Sequence, residues 1–105
     1  MNLREAARGR PCQIRLSCCN HDPDTTVLAH LRAIELGSGA GHKPNDIFAA
    51  HACSACHDAI DRRTHTYVYS YEQVRDAHVW GVLRTLAALV AEGYQFERSR
   101  KEDAA

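Results

Sequence analysis

His51-Ala52-Cys53-Ser54-Ala55-Cys56-His57-Asp58 holds two of the chain's five cysteines and two of its seven histidines. Two thiolates separated by two residues reach one soft metal ion when a turn runs into a helix, because that path brings both sulfurs to the same side. Tetrahedral zinc needs two further donors. The other cysteines, Cys12, Cys18 and Cys19, lie some forty residues upstream. Closing the site therefore joins the N-terminal third of the chain to its middle and makes the metal the main tether of the fold. Zinc on Cys12, Cys19 or Cys18, Cys53 and Cys56 uses an odd cysteine count as four ligands and a bystander. Adjacent side chains in extended backbone face opposite ways, so only one of Cys18 and Cys19 binds.

Length and composition agree with one domain over residues 1–105, with 45% of residues hydrophobic and 25% charged. A chain of this size buries only about 60 to 70% of its extended surface, so a structural metal supplements a thin core. Thirteen basic residues balance thirteen acidic ones. Whole-molecule electrostatics thus predict neither a nucleic-acid nor a membrane partner. Locally the balance differs, since Arg4, Arg8, Arg10 and Arg15 face the single acid Glu5 in residues 1–15, and Arg62-Arg63 follow the central helix. A basic face on a neutral protein is the expectation. The N-terminal residues form no apolar signal segment and no stretch reaches membrane-span length, which predicts a cytoplasmic protein with no membrane partner. In that reducing setting paired cysteines bind metal more often than they form disulfides.

Along the chain, residues 3–8 read as a short helix ended by Gly9 and Pro11. Cys12 to Asn20 reads as a short hairpin with sulfur at each end, followed by the turn-rich Asn20-His21-Asp22-Pro23-Asp24. Thr25 to Arg32 is short, β-branched and aliphatic, which predicts a strand carrying His30. Gly37 to Asp46 reads as a connector; it lacks the Gly-Lys-Ser/Thr ending of a phosphate loop. Ile47 to Ala52 leads into the second knuckle, and Ala55 to Arg63 should be helical, with His57 and Asp61 four apart on one face. Ser70 and Gln73 form a capping box that opens the longest helix, ended by Gly93. Its Val79, Leu83, Leu86 and Val90 should pack on the metal-centred core. His21, His42, His51 and His78 read as structural or solvated.

Cys53-Ser54-Ala55-Cys56-His57 also matches the c-type haem attachment pattern. That reading leaves three cysteines unused and offers Met1 as the only methionine ligand. Zinc on a cysteine cage accounts for the sulfur more fully. Four thiolates leave zinc no open position, so the site is structural and any chemistry lies elsewhere. His57 follows the last ligand directly, on a helix whose direction the metal sets. A strand carrying His30, folded back by the same zinc, would place two imidazoles across a cleft. Such a pair suits metal-assisted phosphodiester hydrolysis, one ring activating water and the other helping to hold a divalent cation.

Strand-borne His30, then Asn45-Asp46, then Cys53-x-x-Cys56-His57 resembles the HNH endonuclease pattern, a ββα-metal motif of treble-clef type. More closely, four blocks resemble the prophage-encoded nuclease family of YbcO type. They are Leu3-Arg4-x-Ala6-Ala7-Arg8-Gly9-Arg10-x-Cys12, Val27-Leu28-Ala29-His30, Lys43-Pro44, and Ala52-Cys53-Ser54-Ala55-Cys56-His57-Asp58-x-Ile60-Asp61-Arg62-Arg63-Thr64-His65. The likeness spans most of residues 3–65; the helix from Ser70 matches only in kind. The family's Cys-Asn pairing, matched by Cys19-Asn20, selects Cys19 over Cys18.

The resemblance implies a small zinc-stapled α+β domain: an N-terminal arm (1–11), a ββα-metal core (12–65), a C-terminal helix (70–93) and a charged tail (97–105). It implies a metal-dependent endonuclease acting on DNA. His30 is then the general base and His57 a ligand of a catalytic magnesium or manganese ion. Asp46 is the loop residue that orients the base or adds a ligand. Ala29 stands where many HNH enzymes carry Asp or His, so a further ligand would come from Asp46, Asp61 or His65. Arg10 and Arg63 are the expected phosphate contacts. The competing expectation is a non-catalytic zinc module that binds DNA or protein.

Overall fold

The structure, a computed structural model, describes residues 2–32 and 45–95. The expected glycine-rich connector, up to Pro44, and the charged tail over 97–105 lie outside the described residues. Chain order is α1 (Leu3–Ala7), a 3-10 turn (Pro23–Thr25), β1 (Val27–His30), β2 (Ala49–Ala52), α2 (Ser54–Ile60) and α3 (Tyr71–Ala91). This is a small α+β arrangement, with one two-stranded sheet and a long C-terminal helix.

In α1 the Asn2 side chain accepts from the Glu5 backbone N–H at 2.8 Å, satisfying an otherwise unpaired donor of the first turn. Leu3, Ala6 and Ala7 form its buried face. Helix α1 ends as expected, because Gly9 takes a φ of +75°, a left-handed conformation that residues with a Cβ adopt at a cost.

The hairpin expected between Cys12 and Cys19 is not formed; the segment is a pair of turns with no strand. Its carbonyls are satisfied from elsewhere. Arg84 of α3 donates Nε and Nη2 to the Gln13 carbonyl at 2.9 and 2.6 Å, and Nη2 reaches the Ile14 carbonyl at 3.3 Å. A ladder is unnecessary where a guanidinium takes those acceptors. The expected strand over 25–32 is also shorter. Asp22 accepts from the Asp24 N–H at 3.0 Å, which winds Pro23–Thr25 into a 3-10 turn before β1 begins.

Strands β1 and β2 are antiparallel, pairing Val27 with Ala52, Leu28 with His51, Ala29 with Ala50 and His30 with Ala49. Alternation puts Leu28 and His30 on one face. Leu28 packs with Leu3 and Ala6 of α1 and with Leu89. The opposite face contributes Ala29, Ala50 and Ala52 to the main core with Ile14, Val82, Cys53 and Cys56. Every residue of β2 is buried.

Helix α3 begins at the expected capping box, with Ser70 and Gln73 bonded reciprocally. Its buried face is only partly the expected one, since of the four stripe residues Leu86 packs against the main core. Val79, Leu83 and Val90 are 36, 49 and 62% exposed, whereas Val74, His78, Gly81, Val82, Thr85 and Leu89 are buried. The helix packs on small residues and on backbone groups that need partners. Thr85 Oγ1 accepts from the His51 N–H at 2.9 Å, and His78 Nε2 donates to the Ala29 carbonyl at 2.9 Å. These polar matches outweigh the aliphatic stripe in choosing the face.

A Cβ at Gly81 would lie 2.6 Å from Ile14 Cδ1, 3.2 Å from Ala50 Cβ and 3.3 Å from the Gln13 carbonyl oxygen. Gly81→Val should therefore destabilise the fold by about 2 kcal/mol, despite valine's better helix propensity, as read by denaturant unfolding.

Burial disfavours the charged form of the His78 imidazole and lowers its pKa from the ordinary 6.5; the Ala29 carbonyl and Asp61 oppose that shift, while His57 and His30 add to it. Below about pH 6.5 the unfolded chain binds a proton that folded His78 resists, so this residue's contribution to stability falls as pH falls. His78→Gln keeps a donor for Ala29 and lacks the titration. Its melting temperature should drop less than that of the wild type on acidification.

Candidate functional site

Cys12 and Cys19 sit in the turns after α1, and Cys53 and Cys56 at the N-terminus of α2. Their four sulfurs lie within 4.8 Å of one another. Tetrahedral zinc with Zn–S bonds of about 2.3 Å sets sulfurs about 3.8 Å apart. The Sγ atoms of Cys19 and Cys53 are 3.8 Å apart. Donor type, number and spacing thus fit zinc, and these four residues could hold it. Cys18 faces away, its Sγ 3.8 Å from the Ala55 carbonyl.

The surrounding backbone favours negative charge on sulfur. Cys12 is drawn below the ordinary thiol range first by a hydrogen bond from the Cys56 thiol, then by backbone groups of Arg15, Cys53 and Ile14. The same hydrogen bond, burial and the charge on Cys12 push Cys56 upward. Burial also raises Cys19. One thiolate resists the next, and a divalent cation removes that resistance.

Beyond the cage, α2 places His57 and Asp61 one turn apart, with Nε2 3.3 Å from Oδ2. At the end of β1, His30 Nε2 lies 2.7 Å from Asp46 Oδ1. Asn45 makes the turn that delivers Asp46: its Oδ1 accepts from the Ile47 N–H at 3.1 Å and its carbonyl from the Phe48 N–H at 2.9 Å. Asn45 thus shapes the loop, and Asp46 reaches the imidazole.

His30 and His57 line one opening of about 700 Å³, together with Asp61. Arg4, Arg8, Arg32 and Arg63 also line it, against Asp24 and Asp61. A neutral protein thus presents a locally cationic concavity around two histidines. Arg4 lies 3.8 Å from Asp46, and Arg63 3.6 Å from Asp61. Arg8 and Arg32 have no side-chain partner among the described residues.

The family model described as "Putative nuclease YbcO" matches residues 1–94. The chain belongs to the YbcO family. "Putative nuclease YbcO" of Escherichia coli strain K12 is 48% identical over 93 residues, covering 88% of this chain and 94% of the relative. A protein of the same description from Enterobacteria phage 82 matches with the same identity and coverage. A solved structure, described as that of "a putative bacteriophage protein" from Escherichia coli K-12, superposes with a TM-score of 0.69 at 43% identity, covering 86% of this chain and 98% of that one. The family carries a nuclease description and includes a phage protein, so the resemblance drawn from the sequence holds at this level.

Placed on this YbcO-family fold, the sequence-derived residues divide into two groups. Cys12, Cys19, Cys53 and Cys56 converge; His30, Asp46, His57 and Arg63 lie at or beside the opening. Arg10 does not line it. Its guanidinium instead donates to the Ala6 carbonyl and pairs with Glu92, tying α1 to the end of α3. His65 does not line it either: its Nδ1 lies 3.0 Å from Thr64 Oγ1, its ring is tilted against Tyr69, and its carbonyl accepts from the Val68 and Tyr69 N–H groups. Two supports come from α3, of which sequence reasoning missed Arg84 and read His78 only as structural or solvated. Arg84 braces the first knuckle and His78 holds the β1 backbone one residue before His30. Nothing in their spacing marks them, because both act on backbone carbonyls rather than on side chains. No described helix is long and apolar enough to cross a membrane.

Cys19→Ser should lose the bound zinc and most of the fold, while Cys18→Ser should keep about one zinc per chain. Metal content and far-ultraviolet circular dichroism of the two purified variants decide between the neighbouring cysteines.

Proposed function

We propose that this protein is a zinc-stapled, HNH-like DNA endonuclease of ββα-metal type. In this reading β1, β2 and α2 form the ββα unit, and the cysteine cage fixes α2 against the strands. The observation that carries it is the convergence of two carboxylate-held imidazoles, His30–Asp46 and His57–Asp61, on one arginine-lined opening.

With Asp46 2.7 Å from Nε2, His30 carries its proton on that nitrogen and presents Nδ1 as the base. Nδ1 then takes the proton of a water that attacks phosphorus, and Asp46 stabilises the imidazolium that results. Arg4 lies 3.8 Å from the other oxygen of Asp46 and helps hold that carboxylate in place. His57, whose Nε2 faces Asp61, offers Nδ1 as the ligand for a magnesium or manganese ion. When bound, that ion neutralises charge on the scissile phosphate and the departing oxygen. Arg8, Arg32 and Arg63 draw the DNA backbone into the opening and hold the phosphate in line.

The alternative is a zinc module that binds DNA without cutting it. One observation favours it: among the described residues, the cysteine cage is the one cluster of three or more metal-donor side chains. His57 and Asp61 alone would give a magnesium or manganese ion few protein ligands.

The two readings separate in a plasmid assay. The zinc-loaded protein should nick supercoiled DNA only when magnesium or manganese is added. His30→Ala should slow nicking by about a hundredfold or more while zinc content and folding persist. Cutting that survives His30→Ala would rule out the assigned base. Tight DNA binding with no cutting under any divalent ion would favour the non-catalytic module.

A further inference from the structure

On the other side of His30 lies a second concavity of about 320 Å³. It shares His30, Arg32 and Asp61 with the larger opening, so the two adjoin at the proposed reaction centre. Its character differs. Leu31, Ile60 and Val74 give it an apolar floor, and the Tyr71 ring stands at its margin, 73% exposed. The Arg62 guanidinium lies 4.3 Å from the centre of that ring and is itself anchored by donating to the Tyr69 carbonyl at 2.6 Å. An exposed tyrosine is thus held in place by a cation on its face. Arg32 and Arg75, also at this concavity, have no side-chain partner among the described residues.

We propose that this second concavity holds one unpaired nucleobase of the DNA substrate, next to the phosphate lying at His30. The volume suits a single nucleotide. The apolar floor and the Tyr71 ring supply stacking area, which every base can use. Asp61 and Glu72 at the margin offer acceptors to exocyclic amino groups, and the guanidinium of Arg75 meets the adjoining phosphate. The cationic lining continues from Arg4 and Arg8, through Arg32, to Arg75. A strand following this path keeps its backbone on arginine and turns one base inward. The protein would then prefer DNA with an extrahelical or unpaired nucleotide beside the cut, since a paired base must first leave its stack. This inference rests on the endonuclease reading above and adds the substrate class.

The test uses the full zinc-loaded chain without added divalent ions. It compares a fully paired DNA duplex with the same duplex bearing one extrahelical 2-aminopurine nucleotide. The bulged duplex should bind on the order of tenfold more tightly, and 2-aminopurine fluorescence should fall on binding as the base stacks on Tyr71. Tyr71→Ala should abolish both effects; Tyr71→Phe, which keeps the ring, should retain both. Equal affinity for the two duplexes, or a preference that survives Tyr71→Ala, overturns the base site while cleavage of paired DNA still supports the nuclease. Failure to bind either duplex overturns the nuclease reading and the base site with it.

Discussion

The approach of Cys12 and Cys19 to Cys53 and Cys56 is the constraint on which the rest of the structure depends. The first pair lies in turns with no strand or helix of their own, and the second caps the short helix α2. Of the first segment's side chains, Ile14 is the large aliphatic one that is fully buried. The main core is built of alanines and cysteines around Ile14 and Val82, and small side chains supply little burial free energy. A four-thiolate zinc site contributes on the order of 10 kcal/mol to folding, more than such a core leaves over after chain entropy.

That constraint orients the groups proposed for chemistry. Cys53 accepts from the Cys56 N–H at the start of α2 and sets the helix direction. His57 and Asp61 consequently project one turn apart at the opening. β2 leads directly into the cage and pairs with β1, so the register that puts Ala52 opposite Val27 also puts His30 at the far end of the ladder, where Asp46 meets it. Helix α3 closes the arrangement from behind, through His78 on the Ala29 carbonyl and Arg84 on the first knuckle. The cysteine cluster, sheet register and helix packing therefore all bear on the separation of the two imidazoles.

The parts of this fold that were legible in the sequence are those whose meaning is local. The spacing of Cys53 and Cys56 marked a metal knuckle, and Ser70 with Gln73 marked the start of α3. His57 and Asp61 share a helix face by spacing alone. Less legible were groups whose role depends on a distant partner. The buried face of α3 carries Gly81, Thr85 and His78, which look like interruptions until Ile14, His51 and Ala29 are seen opposite them. Arg10 sits in a basic run that suggests phosphate binding, yet Glu92, more than eighty residues away, engages it. Cys12 to Cys19 had the length and end residues of a hairpin, but its carbonyls bond an arginine instead of a second strand.

The central claim is that one zinc ion, held by sulfur alone, joins the two halves of the site. Zinc K-edge X-ray absorption on the purified protein measures this directly. The account predicts a single shell of about four sulfurs at about 2.3 Å from the metal. A shell in which nitrogen replaces sulfur, as it would if His21, whose Nδ1 lies 3.8 Å from Cys19 Sγ, were the fourth ligand, would contradict it. So would a folded protein that carries no zinc.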